Sequence, residues 1–149
     1  MLFRSHQKFS KIIEACALKE DLERFPSDDL SFVGERGITL SGGQRARVGL
    51  ARAIYSNADI YLLDDPLSAV DAKVGAHIVE KCLHGLLVNK LIILVTHRLR
   101  YLQTADRIFV MENGRIAKET SYSELERSKD QDHDAICKKK RQTAATTKS

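Results

Sequence analysis

Apolar residues recur at helical spacing in two stretches near the start of the chain. Between residues 6 and 24 they fall three and four positions apart, which predicts a small helical region with a second short turn. These positions are Phe9, Ile12, Ile13, Cys16 and Ala17, followed by Leu18 and Leu22. A second amphipathic pattern predicts a helix over residues 44–56 that stops at Asn57. Residues 25–29 break the first pattern, and an irregular segment with two glycines leads into the second.

Two short runs further along are almost wholly apolar, which is typical of buried strands in a parallel sheet. They cover residues 60–63 and 91–96, and between them a helix capped by Asp71 is predicted over residues 72–87. Strand, helix, strand implies a right-handed crossover. The chain therefore has an expected α/β fold, in which Asp64, Asp65 and His97 arrive at the carboxyl ends of the strands, where ligands bind.

The pattern changes after His97. A short helix over residues 98–104 is followed by predicted strands over 107–111 and 115–120, and Asn113-Gly114 between them is a strong hairpin signal. Ser121 with Glu124 forms a predicted capping box for a last helix that ends near residue 129. Residues 130–149 are expected to be a disordered, polar and basic tail, with a localisation signal or an acidic-surface contact as alternatives.

Composition narrows the class of protein. The 149 residues are 43% apolar and 30% charged, as expected for one soluble domain. No apolar run approaches the roughly 20 residues of a membrane helix, and the start lacks a secretory signal. Three cysteines, Cys16, Cys82 and Cys137, follow no metal or CxxC pattern and are interpreted as reduced structural thiols. The tail has five cations against three aspartates and so carries +2 of the net +4, which leaves the rest of the chain close to neutral. A nearly neutral body argues against a nucleic-acid partner, because such partners are bound by a dense basic face.

The segment before the second helix carries candidate binding chemistry. Gly42 and Gly43 would let backbone N–H groups approach a ligand, the following helix N-terminus favours an anion, and Ser41 adds a hydroxyl. These features suit a phosphate oxygen, although two glycines before a helix also suit a tight turn.

The strand ends carry candidate catalytic chemistry. Asp64 has the placement of an aspartate that holds Mg²⁺ in nucleotide-hydrolysing folds, Asp65 could orient or deprotonate a water, and His97 could donate to a phosphate. Taken singly, Asp65 could instead be a helix-side cap and His97 a satisfied strand-end histidine.

Four motifs together resemble the nucleotide-binding domain of ATP-binding cassette (ABC) transporters. They are LSGGQ (40–44), IYLLDD (60–65), SAVD (68–71) and TH (96–97), in the family's order. The run from VGERGITLSGGQ to LSAVDA is similar to the first such domain of the multidrug-resistance-associated subfamily C. The resemblance, over roughly residues 9–127, implies part of a P-loop NTPase fold. Residues 1–56 would form a helical signature subdomain, and residues 57–129 would run from the Walker B strand to the hairpin.

The resemblance also implies roles. The signature residues would serve ATP held by a second nucleotide-binding domain paired head to tail; they are Leu40, Ser41, Gly42, Gly43 and Gln44. Asp71 would lie at that interface. Asp64 would hold Mg²⁺, and Asp65 and His97 would act on this domain's own ATP. Transmembrane domains would complete an exporter, of organic anions or drugs, with this domain on the cytoplasmic side of the membrane.

Two departures from the family change the expectation. The family's competent sites carry glutamate where this chain has Asp65, which predicts slow hydrolysis at its own site. No GxxxxGK[ST] loop occurs, so the chain is interpreted as a truncation, inactive alone, with apolar strand faces left exposed. A non-catalytic soluble fragment that binds or regulates a transporter is the alternative function. ABC-type ATPases of chromosome maintenance flank their signature with long heptad repeats, which are absent here.

Overall fold

The computed structural model describes residues 6–25 and 39–127. The chain divides into two compact units, one running to His97 and the other beginning at Arg98. The subdivision at residue 57 inferred from the sequence stays a prediction.

Three α-helices open the first unit: α1 (His6–Ala15), α2 (Lys19–Glu23) and α3 (Gly42–Ser56). The predicted helical region and its second turn are confirmed. Helix α3 begins two residues earlier than predicted because Ser41 caps it, and it ends at Asn57, whose left-handed φ of 57° stops the helix. The irregular segment predicted before α3 falls largely outside the described residues.

Strands β1 (Ile60–Asp64) and β2 (Leu91–Val95) pair in parallel, in a register that aligns their first and last residues. The parallel pairing is confirmed, but the prediction that both strands are fully buried is wrong. In β1, Tyr61 and Leu63 are buried, while the alternate side chains point away from the core. The exposed side chains form what we call the open apolar face: Ile60, Leu62, Leu91, Ile93 and Val95, each more than half exposed. Such exposure of apolar strand faces was expected from the interpretation of the chain as a truncation.

The element between the strands is two kinds of helix rather than one. Helix α4 (Ala72–Ile78) is followed by a wider π-type helix, Val79–Leu86, where a single α-helix was predicted. The backbone bond from Leu87 N–H to the Cys82 carbonyl spans five residues and measures 2.9 Å. Widening the helix lets the buried side chains of Ile78, Cys82 and Leu87, spaced by four and five positions, reach the core together.

The second unit contains a 3₁₀ turn (Leu99–Leu102) and an antiparallel hairpin of β3 (Ile108–Glu112) and β4 (Arg115–Thr120). Asn113 and Gly114 have φ of 49° and 75°, which confirms the predicted hairpin turn. The capping box is also confirmed, since Ser121 and Glu124 each accept from the other's backbone N–H at 3.3 Å. It starts a helix, α5, over residues 122–127. The tail predicted over residues 130–149 lies outside the described residues.

Two cysteines distant in sequence meet in the core of the first unit. Cys16 and Cys82 are free thiols, fully buried, with their sulfurs 3.7 Å apart. The hydrogen bond with Cys16 and burial raise the pKa of the Cys82 thiol, which keeps it protonated. Both therefore behave as the structural thiols predicted; Cys137 is outside the described residues. Within residues 6–25 and 39–127, no helix is long and apolar enough to span a bilayer.

Candidate functional site

The signature motif forms the capped N-terminus of α3. Ser41 Oγ accepts a hydrogen bond from the Gln44 N–H at 3.2 Å, and Gln44 Oε1 accepts one from the Ser41 N–H at 2.8 Å. This reciprocal capping box satisfies two backbone donors and fixes the conformation of the motif. Ser41 and Gly42 are exposed, whereas Leu40 is buried.

A buried carboxylate lies behind the signature. Asp21, on α2, accepts a hydrogen bond from Gln44 Nε2 at 2.9 Å and forms an ion pair with Arg47 at 2.7 Å. The Arg47 guanidinium also donates to the carbonyls of Gly43 and Ala17. Arg47 is therefore packed against the chain, because its side chain is only 15% exposed and its negative partner lies on α2.

Gly43 has a structural neighbour that the sequence did not indicate. A β-carbon at Gly43 would lie 2.7 Å from the carbonyl oxygen of Ala69, in the segment that follows β1. At Gly42 the nearest atom would be the Ala69 β-carbon, at an ordinary 3.5 Å. Gly43 is thus required for close packing of the signature helix on the SAVD segment, a role that the sequence did not predict.

Asp71 caps α4, as predicted. Its Oδ1 accepts from the N–H groups of Lys73 and Val74, both at 3.0 Å. These bonds stabilise the charged carboxylate, so the pKa of Asp71 lies below its usual value, with the Val74 bond the main cause. The side chain is exposed, which leaves it accessible to a partner.

Asp65 and His97 come together where β1 and β2 end. Asp65 Oδ2 lies 3.0 Å from His97 Nδ1, and the Asp65 N–H donates to the Val95 carbonyl at 2.8 Å. Asp65 has a φ of 41°, a left-handed conformation that is uncommon outside glycine. Its other carboxylate oxygen, Oδ1, is buried and has no hydrogen-bond partner among the described residues.

Asp64 is exposed at the end of β1. Strand alternation places it on the exposed side of β1, together with Ile60 and Leu62. The part of the chain that the structure describes contains no cluster of three or more His, Cys, Asp or Glu that could hold a metal ion. The structure therefore brings Asp65 and His97 together and leaves Asp64 as a single exposed carboxylate beside them in sequence.

Comparison with known proteins identifies the family. Residues 4–68 match the family described as ABC transporter. ATP-binding cassette sub-family C member 4 of Homo sapiens is 52% identical over 122 residues, which are 82% of this chain and 9% of that protein. ABC transporter C family member 7 of Arabidopsis thaliana is 53% identical over 117 residues, 78% of this chain and 8% of that protein. ABC-type transporter cicA of Emericella nidulans is 54% identical over 122 residues, again 82% and 9%.

The chain belongs to the ABC transporter family. Its resemblance to subfamily C is confirmed by these identities, and its fold is the α/β fold of P-loop NTPases, of which it contains the two parallel strands described above. The chain spans about a tenth of the length of the curated relatives it matches. Its position as the first of two nucleotide-binding domains stays a prediction.

The ABC family implies binding of ATP, while Mg²⁺ at the strand ends stays a prediction. Mg²⁺ is commonly held by one or two carboxylates together with the phosphate oxygens of a nucleotide, so the exposed carboxylate of Asp64 has the chemistry of such a ligand. The unpartnered Oδ1 of Asp65 is an acceptor that lacks a donor, which a water beside a phosphate would supply.

Sequence reasoning missed Asp21 and Ala69. Asp21 lies in KEDLE, a polar helical stretch that is indistinguishable by composition from a solvated helix. Ala69 contributes only its carbonyl oxygen, which no side-chain pattern records. The one available signal was Arg47, a cation at the start of an amphipathic helix with no assigned partner.

Proposed function

We propose that this chain forms the signature-bearing part of the ATP-binding domain of a subfamily C exporter, which couples ATP binding and hydrolysis to transport. The observation that carries the proposal is the meeting of Asp65 and His97 at the ends of two parallel strands, within 3.0 Å. That pair follows a preformed LSGGQ cap in a chain 52% identical to a sub-family C protein. Organic anions or drugs are the proposed class of transported substrate.

The signature would act on ATP held by a second nucleotide-binding domain. Ser41 and Gly42 are exposed at a helix N-terminus, where the partial positive charge favours a phosphate. Leu40 and Gly43 would contribute backbone groups, and Gln44 would act by holding Ser41 in place. Asp71, exposed at the start of α4, would lie at the same interface.

The strand ends would act on this domain's own nucleotide. Asp64 would hold Mg²⁺, Asp65 would orient the attacking water, and His97 would contact the terminal phosphate. Asp65 is one methylene shorter than glutamate, and its Oδ2 already binds His97, so we propose that this site holds ATP and hydrolyses it slowly.

The partners are a second nucleotide-binding domain and transmembrane domains, with the chain on the cytoplasmic side of the membrane. The 149 residues contain no GxxxxGK[ST] loop, the main phosphate-binding element of this fold. We therefore propose that the chain alone does not hydrolyse ATP. The same observation favours a second candidate, a non-catalytic chain that binds or regulates a complete transporter.

A chimeric transporter tests the proposal. Residues 6–127 would replace the matching segment of human ATP-binding cassette sub-family C member 4, and ATP turnover of the purified chimera would be measured. Ser41→Arg places a bulky side chain at the proposed phosphate position and should lower turnover by about 100-fold or more. Ser56→Arg, on the exposed C-terminal end of the same helix, is the matched control and should leave turnover unchanged. Equal turnover in both variants would contradict the assigned role of Ser41.

A further inference from the structure

We propose that Asp21 is a positioning residue for the signature motif. It would set the geometry of Ser41 through Gln44 and of Gly43 through Arg47, without touching the nucleotide. The inference rests on the proposed function of the signature. It follows from three features of Asp21: its burial, its two partners, and the atoms that those partners hold in turn.

Burial makes the contacts of Asp21 obligatory. Its side chain is only 12% exposed, and a carboxylate removed from water is tolerated only when it is paired and hydrogen-bonded. Gln44 donates a hydrogen bond to Oδ1, and Arg47 forms an ion pair with Oδ2 without a hydrogen bond, so both oxygens contact residues of α3. Asp21 is therefore fixed against the first turns of the signature helix.

The contact with Gln44 determines which way its amide faces. A carboxylate only accepts hydrogen bonds, so the end of the amide nearest Asp21 must be the NH₂ group. The carbonyl end, Oε1, is then directed at the Ser41 N–H, 2.8 Å away. The orientation that completes the capping box is thus imposed by a residue 23 positions earlier in the chain.

Arg47 links Asp21 to the signature through a second set of contacts. The Arg47 guanidinium, held by Asp21 at 2.7 Å, donates through Nε to the Gly43 carbonyl at 3.4 Å. It also donates to the carbonyl of Ala17, a residue two positions after α1 with a left-handed φ of 53°. Helices α1 and α2 therefore hold the first turn of α3 from behind, while Ser41 stays exposed on the other side.

Amide hydrogen exchange of the full 149-residue chain tests the inference without nucleotide. Asp21→Asn removes the charge and lets the neighbouring amides flip, so exchange at the Gln44 N–H should accelerate by about tenfold or more. The Val74 N–H, capped by Asp71 in the same way but without contact to Asp21, is the internal control for general destabilisation. Glu20→Gln, the exposed neighbour on α2, should change neither.

A second variant removes the risk that a broken ion pair prevents folding. Asp21→Leu combined with Arg47→Met replaces the buried pair by apolar side chains, an exchange that is often neutral for stability. The inference requires faster exchange at Gln44 relative to Val74 in this folded variant as well. Equal acceleration at the two amides, or none, would overturn it.

The chimera separates this inference from the proposed function. Asp21→Asn should raise the KM for Mg·ATP by about tenfold while changing kcat much less, because it misplaces a binding group rather than removing a reacting one. If Ser41→Arg leaves turnover unchanged, the proposed function fails. If Ser41→Arg abolishes turnover and Asp21→Asn leaves the KM unchanged, only the positioning role fails.

Discussion

At the signature, Ser41 and Gln44 bind each other's backbone, and Asp21 holds Gln44 from behind. At the strand ends, Asp65 has His97 as its side-chain partner, while its buried Oδ1 has none within the described residues. The first region is paired within this chain: Gln44 donates to Asp21 Oδ1, and Arg47 forms an ion pair with Asp21 Oδ2, which has no hydrogen-bond partner among the described residues. The second region is incomplete within the described residues. Its acceptor, Asp65 Oδ1, lacks a donor, and the sheet of β1 and β2 carries the open apolar face.

The difference between the signature and the strand ends has a physical explanation. A site whose own residues fix its geometry is preorganised and needs only its ligand. An acceptor without a donor, next to uncovered apolar strands, is stable only when other groups supply what is missing. We therefore expect the signature to act as a preformed unit when it binds a partner. The strand-end site is expected to depend on elements outside the described residues.

The largest effect is expected from a comparison of alanine substitutions at neighbouring leucines on the two faces of β1. Leu63 is 8% exposed and Leu62 is 74% exposed. Leu63→Ala should lower the free energy of unfolding of the chain by about 2–5 kcal/mol, because it leaves a cavity in the core. Leu62→Ala should change it by less than about 0.5 kcal/mol. Urea unfolding measures both, and similar losses at the two positions would mean that the open apolar face is covered.

Asp65→Glu sharpens the contrast at the strand ends. The extra methylene restores the reach of the base, so single-turnover hydrolysis at this domain's own site in the chimera should rise by about 10- to 100-fold. Asp59→Glu, an exposed acid before β1, is the control and should leave the rate unchanged. A flat rate in Asp65→Glu would count against the geometric explanation for slow hydrolysis.

Gly43→Ala tests the tight packing of the signature helix. The new β-carbon would meet the Ala69 carbonyl at 2.7 Å, so the helix or the SAVD segment must shift, at a cost of about 1–3 kcal/mol in unfolding free energy. Gly49, in the same helix, has nothing within 4 Å of an added β-carbon. Gly49→Ala should therefore stabilise the chain by about 0.5–1 kcal/mol. Stabilisation by both substitutions would show that Gly43 is not close-packed.

The smallest effect concerns the cap of α4 and its pH dependence. The pKa of Asp71 is lowered in the folded chain, so its contribution to stability is present above the unfolded value of about 3.9. That contribution should be lost as the pH falls through the lower folded pKa. Asp71→Asn keeps a capping side chain that does not titrate. The stability difference between wild type and Asp71→Asn, measured by urea unfolding, should shrink below pH 4; a difference independent of pH would contradict the role of the charge.

The sequence was sufficient for features that depend on local chemistry. The Asp71 cap, the Asn113-Gly114 turn and the parallel pairing of two apolar strands were all predicted and are confirmed. The meeting of Asp65 and His97 followed from topology, because parallel strands end at one edge.

Features that depend on tertiary packing could not be predicted from the sequence. The π-type helix of Val79–Leu86 serves the spacing of core side chains and has no local signature. The one-sided burial of β1 depends on which layers cover it, and apolar residues occupy both of its faces. Asp21 and Gly43 act through contacts more than 20 positions away in sequence.

Association with a second domain is the most direct test of the central claim, that this chain supplies the signature half of an ATP site completed elsewhere. The 149-residue chain would be titrated into a subfamily C second nucleotide-binding domain with an intact GxxxxGK[ST] loop, and the Kd measured by sedimentation with and without Mg·ATP. We expect binding that requires Mg·ATP, is lost in Ser41→Arg and persists in Asp65→Glu. Equal binding without nucleotide, or undiminished binding by Ser41→Arg, would contradict it.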